Sequence, residues 1–140
     1  PTKLVVVNSE LVLGAIGMAS LTVRPADTSV AQALNDLPIL ATPTLINIVE
    51  GACTAALAEH LGSGETSVTA QLEVATHASV GVGIDIRANA TCIEIDGSIC
   101  KFNIEVHQGT KLVASGLIER KIVDRVSFAA RIAAESISRE

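Results

Sequence analysis

The sequence predicts an α+β domain in which an antiparallel sheet wraps around one long central helix. Residues 43–61 carry apolar side chains at helical spacing, and nothing else in the chain does so over such a length. One strand-like segment precedes this helix and four follow it, joined mainly by tight turns. The composition supplies an aliphatic core. It is 49% hydrophobic with a mean hydropathy of +0.48, yet has no Trp, no Tyr and only Phe102 and Phe128. The 140 residues suffice for a single domain with one core, without a linker, repeat or low-complexity segment. Residues 1–13 read as an N-terminal extension and 124–140 as a C-terminal tail.

Taken in order, residues 3–7 form a short strand or arm, and 11–23 a first long strand with Asn8, Ser9 and Glu10 between them. In that strand Ala15, Gly17, Ala19, Leu21 and Val23 alternate with Ile16, Met18, Ser20 and Thr22, which assigns them to opposite faces. Arg24 to Asp27 breaks the pattern, residues 29–34 form a helical turn, and Pro38 limits anything longer. Thr42 is the expected N-cap and Pro43 the first helical residue, where its missing N–H costs nothing. Leu45, Ile46, Val49, Ala52, Cys53, Ala56 and Leu57 line the helix, and Gly62 stops it. Strands are expected over 66–77, 84–96, 99–107 and 111–123, with turns at Asp96-Gly97 and Gln108-Gly109. In the first of these, Val68, Ala70, Leu72 and Val74 share one face. The last three strands make an antiparallel meander, and the tail carries Val126, Ala129, Ala130, Ile132, Ala133 and Ile137 at helical spacing.

Charge and composition narrow the function. A net charge of −5 and a pI of about 5.1 speak against a phosphate-backbone partner, and the missing aromatics against base stacking, so nucleic acid is not expected. No apolar run reaches the length of a membrane span. Cys53, Cys92 and Cys100 are an odd number without metal-ligand spacing, read as small buried hydrophobes in a reducing, cytoplasmic setting. The start of the chain lacks the pattern of a signal peptide. No His/Cys/carboxylate cluster suggests a metal.

The residue that asks for an explanation is Glu50. It interrupts an apolar helix, and a carboxylate is costly to bury unless it is paired or hydrogen-bonded. On its own it could be a structural group bonded to Asn47, Thr54 or backbone amides. The context is more specific. Ala41-Thr42-Pro43-Thr44-Leu45-Ile46-Asn47-Ile48-Val49-Glu50-Gly51-Ala52-Cys53, Val74-Ala75-Thr76-His77-Ala78 and Ser115-Gly116-Leu117-Ile118-Glu119-Arg120 together resemble the fluoroacetyl-CoA thioesterase-like group of hotdog-fold acyl-CoA thioesterases. The likeness spans roughly residues 14–128.

That resemblance implies a hotdog fold and hydrolysis of a small or medium acyl-CoA to the free acid and CoA. It maps the catalytic positions onto Thr42, Glu50 and His77. Glu50 attacks the thioester or activates water, His77 tunes Glu50 and protonates the leaving thiolate, and Thr42 donates to the oxyanion or to Glu50. Eight positions separate Thr42 from Glu50, ~12 Å along a regular helix, so direct contact needs Thr42 folded back or a second subunit. The resemblance also places Ser79, Gly81 and Gly83 along the pantetheine tunnel and Arg120, or Lys121 and Arg125, at the CoA phosphates. Asn47 is counted with these substrate-binding residues. It implies a homodimer, or a higher assembly built on one, and no cofactor beyond the CoA of the substrate. Two departures concern specificity. The family's aromatic-bearing lid has no counterpart in 25–41, where no aromatic occurs, and the loop Ser79-Val80-Gly81-Val82-Gly83 differs. Fluoroacetyl selectivity is therefore not inherited. The competing readings are a non-catalytic module that binds an acyl-CoA or another apolar ligand, and an enoyl-CoA hydratase, whose usual Asp/His pair near the helix start is missing.

Overall fold

The computed structural model describes residues 12–138. The strands are β1 (Ile16–Thr22), β2 (Glu65–Thr76), β3 (Asp85–Asp96), β4 (Ile99–Gln108) and β5 (Lys111–Asp124). The helices are α1 (Thr42–Leu57), between β1 and β2, and α2 (Arg125–Ser138), after β5. All neighbouring strands are antiparallel, in the spatial order β1-β3-β4-β5-β2. The expected arm at residues 3–7 lies outside the described residues.

The core is the inner face of the curled sheet against α1. Leu45, Val49, Ala52, Cys53, Ala56 and Leu57 of α1 are buried. They meet Ile86, Ala88, Ala90 and Cys92 of β3, Cys100, Phe102, Ile104 and Val106 of β4, and Ala114, Ile118 and Ile122 of β5. Period-two burial along β3 and β4 is what a sheet with one covered face requires. Burial raises the thiols of Cys53 and Cys100 to about 12 and that of Cys92 in the same direction, so all three stay neutral packing groups.

Two glycines set how closely the layers approach. A Cβ on Gly17 of β1 would stand 2.0 Å from the Ala52 carbonyl oxygen and 2.3 Å from the Ala56 nitrogen, so β1 lies directly on the α1 backbone. A Cβ on Gly116 of β5 would stand 2.0 Å from the Glu73 carbonyl oxygen, where β5 closes on β2. The β3–β4 turn has Gly97 at φ +60° as the first of two loop residues, the position where tight hairpins favour glycine.

Four expectations are corrected. The first strand is shorter than 11–23, because Gly14 at φ +85° and the Ala15 N–H to Val12 carbonyl bond make a turn before it. The helix N-cap is Ala41, with Thr42 the first helical residue and Pro43 the second. Ala41 is fully buried and its N–H donates to the Asp27 carbonyl, so tertiary packing sets this boundary. The helix stops at Leu57 rather than near residue 61. Past Leu57 the apolar face ends, Ala58 and Glu59 are exposed, and His60 sits in a turn with its N–H on the Leu57 carbonyl. In β2 the register shifts between Thr69 and Gln71, leaving Ala70 without a partner on β5. This bulge breaks the alternation, so Val68, Ala70, Leu72 and Val74 do not share a face.

The tail does form a helix, but α2 buries no residue. Asp124 caps it through the Ser127 N–H at 3.0 Å, and Arg131 lies over the Phe128 ring.

Candidate active site

Glu50 lies on α1 one turn past Asn47, where the helix faces the seam between β5 and β2. Its Oε1 accepts a hydrogen bond from the Thr69 hydroxyl on β2 and one at 3.4 Å from Arg120 Nη1 on β5. Arg120 is only 8% exposed. Its guanidinium is fully engaged: Nη1 donates to Thr69 Oγ1 at 2.6 Å, Nε to Ser67 Oγ at 3.1 Å, and Nη2 to Ser67 Oγ at 2.9 Å and Ser67 O at 2.8 Å. A buried guanidinium is tolerated only with such complete pairing. Arg120 thus turns inward onto Glu50 instead of standing at the surface, where the sequence reading expected it. The alternative cations differ: Lys121 is exposed, while Arg125 donates to the backbone carbonyls of Ser63 and Glu65.

The Glu50 side chain keeps 35% of its exposure, and its Oε2 has no hydrogen bond among the described residues. One carboxylate oxygen is therefore held and the other open. Asn47 is exposed, and the Thr54 hydroxyl donates to the Gly51 carbonyl, so neither is the partner of Glu50. The Cys53 thiol, one turn on, is pushed up to about 12 by burial, partly opposed by the Arg120 charge, which leaves it a poor nucleophile.

His77 follows the last residue of β2. Its N–H donates to the Val113 carbonyl at 2.7 Å, and its Nε2 lies 2.7 Å from Ser115 Oγ on β5. The side chain opens on a cavity of about 390 Å³ lined by Leu40, Leu45, Thr76, Ala78, Ser79, Val80 and Val113. The cavity lies between the first turn of α1 and the β2–β3 loop. Segment 25–41 closes over its side. A Pro25–Asp27 3-10 turn leads into it, Thr28 bridges Leu40, Ile39 bridges Gly81, and Gln32 Nε2 reaches Thr44 Oγ1 at 2.8 Å. Ser79 lines the cavity, while Gly81 and Gly83 are exposed farther along the loop.

Thr42 is exposed at the start of α1, its hydroxyl free of the capping role. Within one chain no hydrogen bond joins Thr42, Glu50 and His77 to one another. The strand explains the gap between the last two. Glu50 is bonded at Thr69, and with Ala70 bulged out the seven remaining extended positions carry His77 ~23 Å farther along the strand direction. Sequence reasoning missed Ser67, Thr69 and Ser115 as partners; only Ser115 lay inside a stretch that carried the family likeness.

Comparison with known proteins decides the family. Residues 23–126, most of the chain, match the family model described as fluoroacetyl-CoA-specific thioesterase. The chain belongs to that family. The matched range includes Thr42, Glu50 and His77, and membership makes this protein a thioester hydrolase of the acyl-CoA type. A fluoroacetyl-CoA thioesterase from Streptantibioticus cattleyicolor is 26% identical over 94 residues, covering 67% of this chain and 68% of that protein. Among solved structures, a fluoroacetyl-CoA thioesterase mutant in complex with fluoroacetate superposes with a TM-score of 0.80 at 22% identity, covering 88% of this chain and 97% of that one. A hot-dog-like protein from Thermanaerovibrio acidaminovorans superposes with a TM-score of 0.83 at 21% identity, covering 91% and 96%. These superpositions establish the hotdog fold.

Proposed function

We propose that this thioesterase hydrolyses small or medium neutral acyl-CoAs in the cytoplasm, with Glu50 and His77 as the reacting groups and Thr42 as an oxyanion donor. The observation that carries the reading is the Glu50 carboxylate, held at one oxygen and open at the other, in a family whose substrates are acyl-CoAs. The open oxygen attacks the thioester carbonyl or takes a proton from water, and His77 protonates the departing CoA thiolate. Hydrolysis on this route takes no cofactor; CoA is part of the substrate.

The acyl preference follows from the cavity beside His77. Leu40, Leu45, Val80 and Val113 line it, and among the described residues its lining includes no Lys or Arg to pair with a second carboxylate. An unpaired carboxylate buried there is costly. CoA release from a panel of short, long, aryl and malonyl thioesters tests this. Neutral aliphatic acyl groups are expected to give the highest kcat/KM and malonyl-CoA a far lower one. Malonyl-CoA as best substrate would overturn the specificity, and release from no member would overturn the hydrolase reading.

The site is completed by a second copy of the chain. Among the described residues the outer edge of β2 pairs with no strand, and Leu72 there is 39% exposed. Such an edge invites antiparallel addition of another β2. Pairing about an axis through Glu73, with Ala70 as the extra residue of the bulge, sets Thr69, the partner of Glu50, opposite the partner subunit's Thr76 and next to the partner subunit's His77. Each active site then takes Glu50 from one protomer and His77 from the other. Mixing inactive Glu50→Gln and His77→Ala proteins under exchange restores roughly a quarter of native activity, since half the dimers are mixed and each holds one intact site. A mixture that stays inactive after verified exchange means that both residues serve from the same chain. Ser79, Gly81 and Gly83 would border the CoA arm at this interface.

A further inference from the structure

We infer that Thr69 is a positioning residue, which together with Arg120 fixes the rotation of the Glu50 carboxylate and so selects the oxygen that reacts. The inference rests on the catalytic reading of Glu50 and adds to it the device that orients the group.

The hydrogen bonds leave one arrangement. A guanidinium has donors only, so Arg120 Nη1 at 2.6 Å makes the Thr69 oxygen an acceptor. The single hydroxyl proton of Thr69 must then go elsewhere, and its neighbour is Glu50 Oε1. The same oxygen also takes Nη1 of Arg120 at 3.4 Å. Two donors from two different strands thus converge on one carboxylate oxygen. Arg120 cannot drift, because three further bonds tie its Nε and Nη2 to Ser67. Ser67 and Thr69 stand two residues apart on β2, hence on one face, immediately before the bulge at Ala70. The terminal torsion of a glutamate is otherwise broad and nearly two-fold, which would exchange its oxygens freely. Held this way, Oε1 remains bound while Oε2 stays unbonded on a side chain that is 35% exposed.

Holding a reacting atom in place matters to rate more than to binding. A misplacement of about 1 Å can cost ~10²-fold. Thr69→Val removes the hydroxyl at nearly constant shape and suits a strand, so the fold is retained. Thr69→Ser keeps the hydroxyl. The expected result is a kcat lower by roughly 10- to 100-fold in Thr69→Val with KM nearly unchanged, and near-native kcat in Thr69→Ser. A second readout does not need turnover. In protein labelled with ¹³C at glutamate carboxyls, the Glu50 resonance, assigned by its loss in Glu50→Gln, should move in Thr69→Val and stay in Thr69→Ser. Ser67→Ala, which loosens only the far side of the guanidinium, should shift it by less. A Glu50 resonance that stays in place in both Thr69→Val and Ser67→Ala, or a Thr69→Val enzyme that loses only KM, overturns the inference. A resonance that moves in a protein releasing CoA from no thioester supports the clamp and overturns the hydrolase reading alone.

Discussion

Glu50→Gln is expected to lower CoA release by roughly 10²- to 10⁴-fold, the range lost when a positioned acid or base is removed. The substitution is sharp because it changes little else. Glutamine has the size of glutamate, and its carbonyl oxygen can still accept from Thr69 and Arg120. What disappears is the negative charge and the lone pair of the open oxygen. Arg120 loses its counter-charge at 8% exposure, which costs some stability, but its three bonds to Ser67 persist and Glu50 is itself a third exposed. Thermal unfolding measured beside the rate separates the two effects. A folded Glu50→Gln protein with native turnover on its best substrate would remove Glu50 from the chemistry.

Gly17→Ala has the largest expected effect on stability. The new methyl carbon would fall 2.0 Å from the Ala52 oxygen, 2.3 Å from the Ala56 nitrogen and 2.9 Å from the Ala56 Cα. All three are backbone atoms of α1, so no side chain can swing aside, and β1 must separate from the helix. Overpacking of this kind costs about 1–3 kcal/mol and more where nothing yields. Against a total stability of roughly 5–15 kcal/mol, that is a large share. Gly81→Ala is the matched control. Among the described residues nothing lies within 4 Å of its added carbon, and the change should stay within about 0.5 kcal/mol. Urea unfolding of the two variants checks the pair. Equal midpoints would mean that β1 does not rest on the helix backbone.

Much of the fold is legible in the sequence because it is fixed by local patterns. The apolar spacing of 45–57 specifies a helix whatever surrounds it, and Gly97 and Gly109, both at positive φ, specify the turns of the meander. The alternation of Gly17, Ala19, Leu21 and Val23 with Ile16, Met18, Ser20 and Thr22 marks the faces of β1, and the first set does point to the core. Thr42, Glu50 and His77 are visible as a set through their frame, which the family match over 23–126 encloses.

What the sequence leaves open is decided by contacts between distant residues. The partners of Glu50 are 19 and 70 positions away, and no local spacing signals a hydroxyl and a guanidinium arriving from two other strands. The buried cation itself reads as a surface phosphate ligand until the fold turns Arg120 inward. The bulge at Ala70 follows from the mismatch of β2 against β5, a property of the pair and not of either strand. The helix limits shift for the same reason: burial of Ala41 moves the start and loss of a packing surface after Leu57 moves the end. Local periodicity determined which elements form. Tertiary packing determined which side chains meet, because desolvating Arg120 obliges the chain to gather Ser67, Thr69 and Glu50 around it.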